Sequence, residues 1–219
     1  MNYRDELSGA EKPIWDKACA LFEKMLDNFN SKNLLRKGMI RIDRTRLAQI
    51  WENSNNFGIA FNDMIRKFSN EKSTLAFIKG ADLTQTSATY VFLSQLIGTA
   101  LISFESVFRT SLLFFLEEEK GITKTMALGQ LLRQIEKISP EIGACLREMV
   151  DTKIRNALAH GTFWFKSGGK VCLATNSYLE EVEEMPLHEF WIEIKKMNLI
   201  AIALTEVLGK KMDANYFRL

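Results

Sequence analysis

The chain has 219 residues, 47% of them hydrophobic and 26% charged, so it is long enough to bury a full core and is balanced like an ordinary globular protein. Its 29 Lys and Arg nearly cancel its 27 Asp and Glu, so net charge alone does not point to nucleic acid. Three prolines and twelve glycines leave little room for a long flexible linker, and one compact body is expected.

Cys19, Cys145 and Cys172 are scattered without metal-ligand spacing and read as buried, reduced thiols of a cytosolic protein. The opening MNYRDELSGAEK is polar and charged, unlike a signal peptide. The most apolar stretch, Tyr90 to Leu116, is interrupted by Gln95, Glu105 and Arg109, which leaves too short an uncharged run for a membrane span. A cytoplasmic protein with no membrane partner is the expectation.

In chain order, Ile14, Ala18, Leu21, Phe22, Met25, Leu26 and Phe29 repeat at helical spacing and predict a helix from Pro13 to about Asn30. Next come Lys32, Arg36, Lys37, Arg41, Arg44 and Arg46 against one acid, Asp43, which is placed to cap a short helix through Trp51. A helix over Phe57 to Phe68 follows. Thr84 to Lys120 reads as one long central helix, apolar around most of its circumference and stopped by Gly121. Thr123 to Ile138 predicts another, with Leu128, Leu131, Leu132 and Ile135 on one face. Ser139-Pro140 starts a helix that runs to about His160, where Gly161 ends it. Thr162–Phe165 and Lys170–Ala174, divided by Ser167-Gly168-Gly169, predict a small β-hairpin. Pro186 opens a final helix that buries Phe190, Trp191, Ile194, Met197, Ala201, Leu204 and Leu208. The expected fold class is all-α, a helical bundle with one hairpin.

The stretch that carries chemistry is Arg155-Asn156-Ala-Leu-Ala-His160, late in its helix. RNA cleaves itself when its 2′-OH attacks the adjacent phosphate, provided one group removes that proton and another neutralises the growing charge. Histidine exchanges protons near neutral pH. Arginine offers an always-charged fork that matches phosphate oxygens. Asparagine can orient either partner. Asn156 and His160, four apart, share a helix face, whereas Arg155 and His160 diverge by about 140°.

This pattern, an Arg followed by Asn and then His after a short gap, resembles the signature of the HEPN superfamily of RNA-cleaving and RNA-binding helical domains. The resemblance covers roughly Thr84 to the C-terminus, so residues 81–219 would form the HEPN-like domain and residues 1–80 an N-terminal helical extension packed on it. It implies a metal-independent endoribonuclease without cofactor, leaving 2′,3′-cyclic phosphate and 5′-hydroxyl ends. Arg155 would stabilise the phosphorane, His160 act as acid or base, and Asn156 orient substrate or catalyst. It also implies a homodimer in which two motifs line one cleft. The biological setting would be a prokaryotic toxin or phage-defence effector with an antitoxin or regulatory partner.

Other readings stay open at this stage. Arg155 is one turn from Asp151 and His160 is at a helix end, where each has a purely structural use. Glu105 is a supporting acid for the motif or, as the simpler reading, the ion-pair partner of Arg109. Lys32, Arg36, Lys37, Arg41, Arg44 and Arg46 are RNA-backbone contacts or a solvated face. Phe163, Trp164 and Phe165 alternate across the hairpin, where one face is a base-stacking surface or, as the favoured reading, packs on the helices. The alternative function is a non-catalytic HEPN-like module that binds RNA, a nucleotide or a protein; a helical regulator acting through a dimer face is a third.

Overall fold

The structure is a computed structural model and describes residues 3–32, 35, 45–53, 56, 97–98, 101, 106–116, 122–123, 125–149, 152–166, 169–174 and 182–213. Its named elements are α1 (Tyr3–Glu6), α2 (Glu11–Ser31), α3 (Arg109–Phe115), α4 (Leu128–Ile138), α5 (Pro140–Met149), α6 (Thr152–His160), β1 (Phe163–Lys166), β2 (Lys170–Ala174), β3 (Val182–Pro186) and α7 (Leu187–Asp213). The described chain is therefore mostly helical with a small antiparallel sheet.

Helix α2 follows the predicted pattern and buries Trp15, Ala18, Phe22, Met25, Leu26 and Phe29. Its start is closed by Ser8, whose hydroxyl donates to Glu11 Oε2 at 2.6 Å and whose N–H donates to the same oxygen at 2.9 Å. These hydrogen bonds, the hydroxyl's above all, hold the Glu11 carboxyl below its ordinary pKa against the opposing effect of burial; Lys195 nearby adds to the depression.

Two sets of ion pairs report how α2 lies in the body. Lys195 meets Glu11 and Lys211 meets Asp27, both advancing along the two helices together, so α2 and α7 run parallel. Lys17 meets Glu148 and Lys24 meets Glu141, in reverse order, so α5 runs antiparallel to α2. Each exposed pair contributes at most about 1 kcal/mol. Apolar burial contributes more: Phe22, Phe29, Phe190, Ile194, Leu204 and Leu208 are all fully enclosed in one continuous cluster. The N-terminal helix is thus built into the same core as the C-terminal one. The expected division near residue 80 lies outside the described residues.

Helices α4 and α5 meet closely around Ser139. A Cβ on Gly143 would sit 2.3 Å from the Cα of Glu136, so only glycine fits that crossing. Arg147 of α5 also pairs with Glu136.

The structure corrects several sequence expectations. The helix expected through Lys120 ends at Phe115. Leu116 is extended (φ −89°, ψ 139°) and pairs with Leu35 as an antiparallel bridge, while staying buried. Its apolar character suited the helix pattern equally well, and periodicity could not separate the two uses. The helix expected from Thr123 begins at Leu128. Ala127 is extended (φ −66°, ψ 153°), and its N–H donates to Gln130 Oε1 at 3.2 Å, which fixes the start there. The helix expected from Ser139 to His160 is described over Pro140–Met149 (α5) and Thr152–His160 (α6), and residues 150–151 between them lie outside the described residues. The expected helix over Phe57 to Phe68 lies outside the described residues.

The hairpin is present but is part of a three-stranded sheet, ordered β1-β2-β3. Phe163 pairs with Leu173, Trp164 with Cys172 and Lys166 with Lys170; on the other side of β2, Val171 pairs with Met185 and Cys172 with Glu184. Strand β3 went unread because Glu183 and Glu184 look like the acidic approach to a helix. In a sheet they are satisfied differently. Glu184 takes Lys166 of β1 and Lys170 of β2, and Glu183 takes Lys153 of α6 at 2.7 Å. Phe163 and Phe165 stack edge-on at 5.9 Å and pack on the core, so the inner face of the sheet covers the helices.

Candidate functional site

Helix α6 brings Arg155, Asn156 and His160 together at the junction between body and sheet. Ile154, Ala157 and Leu158 are buried on one side of the helix. Lys153, Asn156 and His160 are exposed on the opposite side, and Arg155 is half-buried at the border. That division follows from the roughly 100° step per residue of an α-helix.

His160 is the last residue of α6 and its position is fixed by the turn that follows. Gly161 adopts φ +67°. Its N–H donates to the Leu158 carbonyl at 3.3 Å, and the Thr162 N–H donates to the Ala157 carbonyl at 2.9 Å. The two bonds make a Schellman end, which needs the left-handed backbone that glycine adopts without strain. Thr162 then enters the sheet directly, its carbonyl accepting the Ala174 N–H at 2.8 Å. The imidazole therefore stands, exposed, at a braced corner between helix and strand.

Arg155 Nη1 donates to Asn156 Oδ1 at 2.7 Å. Neighbouring residues on a helix diverge by about 100°, so this bond draws the guanidinium round toward the face that Asn156 shares with His160. The divergence expected between Arg155 and His160 is thereby reduced by the side chain, with no change in the helix. Asn156 uses its carbonyl oxygen to hold the arginine and retains its amide group as a donor. Burial lowers the guanidinium pKa from its ordinary value, yet arginine remains charged across the physiological range. A partly desolvated cation is a stronger anion receptor than a fully hydrated one.

The other sequence candidates are more dispersed. Lys32 follows α2, and its Nζ donates to the Ile138 carbonyl at 2.9 Å, at the negative end of α4. That is a structural use for this lysine. Arg46 is exposed on a helical stretch over 45–53. Arg36, Lys37, Arg41, Arg44 and Glu105 lie outside the described residues, as does Asp151. Arg109 Nη1 donates to the Met126 carbonyl at 3.1 Å and so ties α3 to the segment before α4. His188 is exposed near the start of α7, beside Glu189.

Sequence reasoning missed the ring of charge pairs around α6 and the sheet. Lys153, Lys166 and Lys170, close to the motif in sequence, all engage Glu183 or Glu184. The signal was present as three lysines (Lys153, Lys166, Lys170) followed by the acidic run Glu180, Glu181, Glu183 and Glu184, legible only with β3 assigned. No group of His, Cys, Asp or Glu among the described residues has the grouping of a metal site. No described helix is long and apolar enough to cross a membrane. No family model, curated protein or solved structure matches this chain.

Proposed function

We propose that this protein is a metal-independent endoribonuclease of the HEPN type, with Arg155, Asn156 and His160 as its catalytic group. What supports the reading is an exposed His160 at a braced helix end and, on the same helix, an Arg155 fork that donates to Asn156, the residue one turn before His160. In-line attack of a 2′-OH on phosphate is served by a group that moves a proton and a cation that neutralises the growing charge, and this helix end offers one of each. Arg155 neutralises the phosphorane, His160 transfers the proton, and Asn156 keeps the fork oriented while offering its amide to a phosphate or ribose oxygen. The expected products carry 2′,3′-cyclic phosphate and 5′-hydroxyl ends. Two copies sharing one cleft would supply the second proton-transfer group.

A binding module without catalysis is the second reading. It is favoured by one feature: the three lysines nearest the motif are each paired with Glu183 or Glu184, which tempers the positive field on which strand capture depends.

End-group analysis separates the two. Single- and double-stranded RNAs incubated with the full chain in EDTA should yield cyclic-phosphate ends, and Arg155→Ala should abolish them. RNA bound but recovered intact across the panel would favour the module.

A further inference from the structure

We propose that Lys153 holds a backbone phosphate of the RNA next to the one at Arg155 and His160, and that Glu183 of β3 competes with that phosphate for the lysine. The inference rests on the nuclease reading for its ligand and deepens it by naming what controls entry to the same site.

Lys153 stands on the motif's own helix. At about 100° per residue, His160 returns to within about 20° of Lys153 after seven residues, and Asn156 lies about 60° away. All three are exposed, opposite the side on which Ile154, Ala157 and Leu158 are buried. At 1.5 Å per residue the row is about 10 Å long. One face of one helix thus presents a cation, an amide and an imidazole in line, which suits consecutive groups of a single strand laid along it. The other two lysines near the motif in sequence point elsewhere. Phe163 and Phe165 pack on the core, so alternation puts Lys166, and Lys170 opposite it, on the outer face of the sheet with Glu184.

Glu183 belongs to the core-side face. It continues the cross-strand row of Phe163 and Leu173, of which Leu173 is buried. A carboxylate at the end of an apolar row calls for a cation, and Lys153 Nζ donates to Glu183 Oε2 at 2.7 Å. That contact is the link by which the sheet reaches the motif face. It is not a buried lock: the lysine side chain is 59% exposed and the glutamate 45%, so the pair contributes little and yields to a stronger partner. A strand already held at Arg155 is such a partner, because it offers its next phosphate to Lys153 within one complex. A strand that misses Arg155 meets a lysine already neutralised. Glu183 thereby makes Lys153 available only to RNA seated on the motif.

The test is binding of fluorescent single-stranded RNA hexamers by the full chain in the non-cleaving His160→Ala background, over a range of salt concentrations. Lys153→Ala should weaken binding about threefold, and Glu183→Gln should strengthen it about threefold. Combined with Lys153→Ala, Glu183→Gln should bring no gain, because the glutamate acts only through the lysine. In the Glu183→Gln protein, removing Lys153 should also lower the slope of log affinity against log salt by about one. A gain from Glu183→Gln that survives Lys153→Ala would overturn the competition and assign it to the general field. Weaker binding by Glu183→Gln would overturn it as well, making the pair a brace for β3. Cleavage by the unmodified chain with no such coupling would sink this inference alone. The predicted coupling with RNA left intact would sink the nuclease reading and leave Lys153 and its competitor standing.

Discussion

The helical body and the Arg155-Asn156…His160 motif on α6 use polar side chains in different ways. In the body, polar contacts join residues far apart in sequence: Lys17 to Glu148, Lys24 to Glu141, Lys211 to Asp27. Such contacts fix the direction and register of packed helices. At the corner, the contact that defines the motif joins adjacent residues, Arg155 and Asn156. A bond between neighbours crosslinks nothing. It orients one side chain, and its value lies in what that side chain then meets. The difference predicts that the exposed Asn156 and His160 contribute little to the fold, although they stand on rigid elements.

That contrast can be broken by mutation. The largest effect should come from the body: Phe22→Ala, which empties a fully buried site beside Phe108, is expected to cost about 4 kcal/mol in chemical denaturation. Next is Gly143→Ala. Helix propensity favours alanine, but its Cβ meets the backbone of Glu136, so a net loss of about 2 kcal/mol is expected. A stabilised Gly143→Ala protein would show that the α4–α5 crossing has room to spare. Gly161→Ala tests the brace beneath the motif. The positive φ should cost about 1 kcal/mol and lower cleavage more than stability accounts for, since His160 turns with that corner. By contrast, Asn156→Ala and His160→Ala should change stability by no more than about 0.5 kcal/mol, as exposed residues outside the core.

The smallest effect concerns pH. Glu11 has a folded pKa below its unfolded value, so its contribution to stability is present above about pH 4.3 and is lost as pH falls through the folded value. Glu11→Gln should therefore flatten the acid limb of the stability curve below that pH. Unchanged curvature would mean that the Ser8–Glu11 contact does not set the start of α2.

How much was legible beforehand divides along the same line. Helices α2 and α7 were readable because their apolar residues recur at helical spacing over many turns. The terminating Gly161 was readable because a left-handed turn demands that residue, and Arg155-Asn156…His160 was readable as a pattern on one helix. Leu116 and Ala127 were not, since an apolar residue leaving a helix carries no local mark, and the deciding contacts lie with Leu35 and Gln130. Strand β3 was hidden by its charge, which makes sense only once lysines from α6, β1 and β2 stand beside it. Sequence shows which faces are apolar. Partners distant in the chain decide where charged strands go.

The central claim is that the polar group on α6 serves chemistry and leaves the fold untouched. The most direct measurement compares unmodified protein with His160→Ala in one set of samples, matched for oligomeric state, recording both the unfolding midpoint and RNA cleavage in EDTA. Coincident unfolding curves, with cleavage by the unmodified protein alone, are the expected result. Cleavage at equal rates by both proteins, or loss of activity that simply follows loss of stability, would contradict it.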